Sequence, residues 1–378
     1  MKRIYHVGGW HRNYGDFALQ VGEMRMLQAA SHEPLEFVPV NCQTTRFHRD
    51  LVDIINDDGD LLLVGGGGMV FHRPEDDSQS GWQFNISLED LERLTLPLVV
   101  YGIGFNKFYF DDRGFKPQMN EHLQATQAKA ALFSVRNQGT FDELVSRGLS
   151  AERMEVIPDP GMFAPAARVT LPGIGDDEFK LGLNWAGDRN FYRFPEPWEE
   201  TRLAVIDALS AAIRRLLDRQ GGGRVVFIPH LSENIDSEVA PLFKERLGAA
   251  WYNVEEELPY LFPASQAQLP LFAGLYRQMD LVVGMRGHSN IVPFGLGTPV
   301  VGLGSHNKNR FFLAQIGAEH AMINTQSYPE GCSEDDMFGV LTGVLDDKQL
   351  RARLKQRLAE LTRISEDFNA RAVALMDG

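Results

Sequence analysis

Short runs of β-branched or aliphatic residues recur along the chain, and most stop at a glycine or a polar turn. They include residues 3–7, 60–64, 98–101, 131–135 and 154–157. Between several of them lie apolar residues at helical spacing, as in 17–30 and 118–130. A strand that is apolar at consecutive positions must be covered on both faces, and helices alternating with such strands supply that cover in a parallel sheet. The alternation predicts an α/β chain. Ligands in such sheets lie beyond the carboxyl ends of the strands, where helix N-termini and backbone N–H groups converge.

The pattern then resets. After Asp159-Pro160-Gly161 comes the proline- and glycine-bearing stretch 165–177, and a second series of strands begins at 179–185. It continues through 224–228, 281–283 and 300–303, with helical patterns over 201–219 and 270–279. The 378 residues exceed one ordinary core and suit two domains of about 150–200 residues each. The expectation is two Rossmann-like, doubly wound domains, residues 1–170 and 171–378, facing each other across a cleft. Leu350, Leu354, Leu358, Leu361 and Ile364 stand at helical spacing and read as packing helices of the second domain.

Composition narrows the function. A net charge of −14 argues against a broad grip on nucleic-acid phosphates, yet leaves room for a small anion held by a few local arginines. The two cysteines, Cys42 and Cys332, are far apart and predict neither a disulfide framework nor a zinc cluster. His11, His48, His72, His230 and His306 lack metal-ligand spacing, so no metal is expected. No apolar run reaches the about 20 residues of a membrane span, and the start of the chain lacks the apolar core of a signal peptide. A cytoplasmic protein is expected, with peripheral association at a membrane left open.

The turns after the strands carry the candidate chemistry. Gly8-Gly9-Trp10-His11-Arg12-Asn13-Tyr14-Gly15-Asp16 places Asn13 and Asp16 where they can bond hydroxyls, or where Asp16 simply caps the following helix. Val64 is followed by Gly65, Gly66, Gly67 and Gly68, read as a strand end with a concave row of N–H donors or as a tight bend. Arg136 follows residues 131–135 and suits a phosphate or carboxylate, unless Asp142 or Glu143 takes it as an ion pair. The densest group is Gly284-Met285-Arg286-Gly287-His288. There a strand end, a fixed cation, a titrating imidazole and a helix start coincide.

With those residues in place, the chain resembles the polysaccharide pyruvyl transferase family. The matching stretches are Asn13-Tyr14-Gly15-Asp16, Leu62-Leu63-Val64-Gly65-Gly66-Gly67, Ser134-Val135-Arg136 and Pro158-Asp159-Pro160. Further on come Phe227-Ile228-Pro229-His230 with Asp236, Arg286-Gly287-His288, Gly297-Thr298-Pro299, and Lys308 before Phe311-Phe312-Leu313 and Gly317. Asn137, Pro293 and Ser305-His306-Asn307 depart from the family's usual residues. The resemblance implies a fold like that of the two-domain GT-B glycosyltransferases. It also implies transfer of pyruvate from phosphoenolpyruvate to two hydroxyls of a sugar, giving a cyclic ketal and phosphate. Phosphoenolpyruvate is then a donor substrate, and no cofactor is called for. The partner is a sugar or lipid-linked saccharide acceptor.

The roles this implies are specific. Arg136 and Arg286 hold the donor's anionic groups with help from Lys308, His288 is the acid/base, and Asp16 is a base on the acceptor side. Asn13, Gly66, Gly67, Gly68, Gly287 and His230 complete the substrate contacts, and the segment 105–115 shapes acceptor recognition. Two other readings stand beside this one: a nucleotide-sugar glycosyltransferase on the same architecture, and a binding protein without catalysis.

Overall fold

The computed structural model describes residues 1–10, 12–71, 78–108, 114–231 and 235–377. The first half lays down β1 (Lys2–Gly8), α1 (Tyr14–Ala30), β2 (Leu35–Asn41), α2 (Arg49–Asp58), β3 (Leu61–Val70) and α3 (Leu88–Arg93). It continues with β4 (Leu98–Phe105), α4 (Gln118–Lys129), β5 (Leu132–Val135), α5 (Gln138–Ser146) and β6 (Glu155–Val156). The second half opens with β7 (Lys180–Asn184), α6 (Asn190–Arg193), α7 (Trp198–Gln220), β8 (Arg224–Phe227), α8 (Ala240–Leu247), β9 (Trp251–Asn253) and α9 (Val254–Glu257). Then follow α10 (Leu269–Arg277), β10 (Leu281–Gly284), α11 (His288–Gly295), β11 (Val300–Leu303) and α12 (Asn307–Gln315). The chain closes with β12 (Met322–Ile323), α13 (Glu334–Asp346) and α14 (Leu350–Ala374).

Two six-stranded sheets result, in the orders β2-β1-β3-β4-β5-β6 and β12-β11-β10-β7-β8-β9. Every strand pair in both is parallel. The order reverses between β1 and β3 in one sheet and between β7 and β10 in the other. Such reversals open the crevice in which doubly wound sheets bind ligands.

The aliphatic runs alternate between two buried faces. Leu62, Val64 and Val100 enter the core under α2, α3 and α4. Leu61, Leu63, Val99 and Tyr101 enter a second core with Leu27 of α1. Phe368, Ala372 and Val373 of α14 complete that second core. The closing helix, counted with the second domain from the sequence, therefore ends on the first sheet, whose outer face α1 alone leaves partly open.

The glycine run departs from expectation. The strand does not end at Val64, because β3 runs on to Val70, with Gly65 paired to Tyr101 and Gly67 to Ile103. Gly66 and Gly67 have φ of +71° and +73°, and a Cβ on Gly66 would lie 1.8 Å from Leu19 Cδ2. Glycine is needed here so that α1 can rest directly on the strand.

Candidate functional site

Helix α1 begins between the two domains. Its N-cap is Asn13, whose Oδ1 accepts the Gly15 N–H at 2.8 Å, so the capping role weighed for Asp16 belongs to Asn13. The next residue, Tyr14, leaves the first domain altogether. It is 1% exposed, stacks on Phe272 of α10 with ring centroids 3.6 Å apart, and donates its hydroxyl to the Leu261 carbonyl. Tyr14 thus belongs to the second domain's core, while Asp16 and Asn13 line the cleft on the first domain's side.

All the candidate residues named from the sequence line this one cleft: Asn13, Asp16, Gly66, Gly67, Gly68, Arg136, His230, Arg286, Gly287, His288 and Lys308. The cleft opens where the β1 and β3 ends of one sheet meet the β7 and β10 ends of the other, so both topological reversals face it.

Arg136 and His288 come from different domains and meet on one carboxylate. Arg136 Nη1 donates to Asp159 Oδ2 at 3.2 Å, and His288 Nε2 faces Asp159 Oδ1 at 3.5 Å. Asp142 and Glu143, weighed as partners of Arg136, instead meet Gln138 and Arg147. Asp159 is 2% exposed and also caps a short turn by accepting the Gly161 N–H. Burial raises its pKa, but His288 and Arg136 outweigh burial and hold it down at about 2. The His288 ring lies between two glycines. A Cβ on Gly15 would stand 2.7 Å from His288 Nδ1, and one on Gly161 would stand 3.1 Å from Cδ2.

Arg286 is already engaged. Its Nε donates to both carboxylate oxygens of fully buried Asp236, at 3.0 and 2.7 Å, and its Nη2 to Asp188 Oδ1 at 2.9 Å. Burial opposes the guanidinium's charge, yet Asp236 and Asp188 hold its pKa above the ordinary arginine range. Its backbone N–H donates to Asn184 Oδ1 at the end of β7, which fixes the turn. Asp188 receives Arg193 as well, at 3.2 Å. Arg189, the only non-glycine with positive φ among the described residues (59°), lays its guanidinium 4.8 Å from the Phe71 ring of the first domain. Backbone held in that region concentrates at functional sites.

Lys308 is the cation with the most unusual environment. Its stem packs beside Gly287, where a Cβ would stand 3.3 Å from Lys308 Cδ. Burial and then Arg193, Arg136 and Arg286 pull its pKa from 10.5 to about 7. His230 is buried, its Nε2 bonded to the Tyr276 hydroxyl at 2.5 Å. Burial, Arg286, His288 and Lys308 keep it neutral by driving its pKa well below the usual imidazole range. His306 accepts the Lys308 N–H on Nδ1 at 3.2 Å, and Phe108 rests 4.5 Å from its ring.

Asp159, Asp188, Asp236, Arg189 and Arg193 were not singled out for a role from the sequence. Asp159 and Asp236 stand inside the quoted motifs, so they were in view without a function. Asp188, Arg189 and Arg193 follow β7, and residues just after a strand end are the signal that marks them. Of the segment 105–115, Phe108 reaches the second domain, stacked 5.3 Å from Tyr192; residues 109–113, like His11 and His72, lie outside the described residues. Among the described residues, no cluster of His, Cys, Asp and Glu is placed to hold a metal ion, and no helix is long and apolar enough to cross a membrane.

A family model described as polysaccharide pyruvyl transferase matches residues 13–307 of the chain. No curated protein sequence matches it. Among solved structures, Staphylococcus aureus MnaA in complex with UDP is 15% identical over 94% of this chain and 91% of that one, with a TM-score of 0.57. A UDP-GlcNAc 2-epimerase from Neisseria meningitidis bound to UDP-GlcNAc is 12% identical over 97% and 98%, with a TM-score of 0.56. The UDP-GlcNAc 2-epimerase of Methanocaldococcus jannaschii is 11% identical over 92% and 94%, with a TM-score of 0.55. At these identities the likeness is one of fold: two Rossmann-like domains in a GT-B-like arrangement.

Proposed function

Because the chain belongs to the polysaccharide pyruvyl transferase family, we propose that this transferase moves the pyruvyl group of phosphoenolpyruvate onto two hydroxyls of one sugar. The product is a cyclic ketal on a polysaccharide or its lipid-linked precursor, with phosphate released. The observation that carries this reading is the crowding of like charge around Lys308. Arg193, Arg136 and Arg286 all depress it, in a chain whose net charge is −14. Asp159, Asp188 and Asp236 offset the arginines. Lys308 forms no ion pair among the described residues, and a donor bearing both phosphate and carboxylate supplies the missing anion.

In this reading His288 delivers a proton to the methylene carbon of the donor, and the neighbouring carbon becomes oxocarbenium-like. A sugar hydroxyl adds there and loses its proton, with Asp16 as the base on that side. The C–O bond to phosphate then breaks, its electron pair leaving with the phosphate. The second hydroxyl closes the ring and loses its own proton. Arg136 and Lys308 neutralise the departing phosphate. Arg286, tied to Asp236 and Asp188, is held in place rather than free to act as a movable clamp. Asp159 steadies both the proton carrier and Arg136. A positioned proton donor contributes about 10²–10⁴-fold in rate.

The test is ligand choice. Phosphoenolpyruvate at about 100 times its Kd should stabilise the fold by about 2.7 kcal/mol, and an acceptor glycan incubated with both should gain the mass of a pyruvyl ketal. Stabilisation by a uridine or guanosine diphosphate, with none by phosphoenolpyruvate, would replace this reading with sugar transfer from a nucleotide.

A further inference from the structure

The two walls of the cleft differ in chemistry. Apart from Leu231 and Gly287, the second domain presents charged or titratable groups along its wall, from Asp188 to Lys308. The first domain presents carboxamides instead: besides Asn13, the cleft is lined by Gln20, Gln43, Gln83 and Asn106, set among glycine backbone. Among the described residues, only Asp16 and Arg136 bring charge to that side.

Two of these amides are unspent. Gln20 is fully buried, yet neither its Oε1 nor its Nε2 has a hydrogen-bond partner, and the same holds for Asn106 Oδ1. Gln20 stands apart because both of its amide atoms lack partners. Asn290 and Asn309, whose Oδ1 atoms are likewise unpartnered, each spend their NH₂ group on a backbone carbonyl, that of Gly284 and that of Met285. Asn184 donates to the Ile228 carbonyl. Buried polar groups without partners are rare in folded proteins, and each calls for an explanation. Behind the wall lies the buried pair of Glu23 and His6, 2.5 Å apart, where burial raises the Glu23 pKa.

An amide offers a donor and an acceptor but no charge, so hydroxyls can satisfy both of its ends. A carboxylate cannot donate to its oxygen, an ammonium cannot accept from its NH₂ group, and either would be brought against the wall without a counter-charge. We propose that the wall formed by Gln20, Gln83 and Asn106 is a sugar subsite that selects an uncharged glycosyl unit over a uronic acid or an amino sugar. The assignment deepens the pyruvyl-transfer reading by naming the class of acceptor, and it rests on that reading for the acceptor's role in turnover.

The experiment is saturation-transfer NMR on the full chain without donor. The probes are methyl glycosides of glucose, galactose and mannose, beside the corresponding uronides and 2-amino glycosides. At least one neutral glycoside should bind, at least tenfold tighter than its charged counterparts. Gln20→Leu, which keeps the volume while removing both polar atoms, should lose that binding. Asn106→Leu, at a less buried position, should weaken it tenfold if Gln20→Leu does not fold. Equal or tighter binding of the charged glycosides, binding of no probe, or variants that bind as the parent chain does would each overturn the subsite. Thermal stabilisation by phosphoenolpyruvate, read separately, reports on the donor groups Lys308 and Arg136 rather than on the amides. Its absence alongside neutral-sugar binding would defeat pyruvyl transfer and leave the subsite standing.

Discussion

His288 Nε2 and Asp159 Oδ1 face one another at 3.5 Å, longer than a well-formed hydrogen bond, with Arg136 on the other oxygen of the same carboxylate. A carboxylate so placed steadies an imidazole that gains and loses a proton. Asp159→Asn should lower turnover by up to the about 10²–10⁴-fold of a general acid/base step, while the KM for phosphoenolpyruvate changes far less. His288→Ala should match it. A KM loss as large as the turnover loss would assign Asp159 to holding Arg136 alone.

Lys308 gives the site a pH signature. Its pKa is lowered from 10.5 to about 7, so between those values the unfolded chain keeps a proton that the folded chain gives up. Stability therefore rises with pH across that window, and below pH 7 the full destabilisation is present. Lys308→Met should flatten the rise in chemical denaturation series. A bound polyanion restores the charge, so calorimetry in buffers of different ionisation enthalpy should show proton uptake on phosphoenolpyruvate binding above about pH 7. No uptake by the parent chain would mean that Lys308 does not face the donor.

Gly15 separates activity from stability. Its backbone is helical, and alanine there would favour the helix by up to about 1 kcal/mol. The added Cβ would meet the His288 ring at 2.7 Å. Gly15→Ala should therefore leave a cooperative unfolding transition but cut turnover at least tenfold as the imidazole is displaced. Unchanged turnover would show that the ring's placement between Gly15 and Gly161 is not needed.

Tyr14 tests the joint between the domains. Removing a buried aromatic ring costs about 3–5 kcal/mol, so Tyr14→Ala should lower the midpoint of urea unfolding markedly. Tyr14→Phe keeps the stack on Phe272 and loses only the hydroxyl's bond to Leu261, a loss of about 1–3 kcal/mol. Equal effects of the two would shift the weight from the ring to the hydroxyl.

The alternation of strand and helix was legible because parallel strands buried on both faces must be aliphatic at consecutive positions. Of the edge strands, only β6 shows such a run, at 154–157. In β2 most residues are only half-buried and Pro39 sits within the strand, while β9 and β12 have three and two residues. The Arg286-Gly287-His288 turn was legible from its place after β10. Its anchors were not, because Asp236 is 50 residues away in sequence and reaches Arg286 only through the fold. Tyr14 read as a member of a ligand turn, since nothing local reveals that its ring lies in another domain's core. The glycines from Gly65 to Gly68 read as a turn because a helix resting on a strand and a bend in the chain ask for the same residue.

Helix α1 has its first residue, Tyr14, sunk in one core and Leu27 sunk in the other. Its 17 residues make a rod about 25 Å long, rigid along its axis and held near both ends. The two cores are thereby tied by one strut: a displacement at Tyr14 is passed along the rod to Leu27, and the edge of the cleft that runs past Asp16 moves with both.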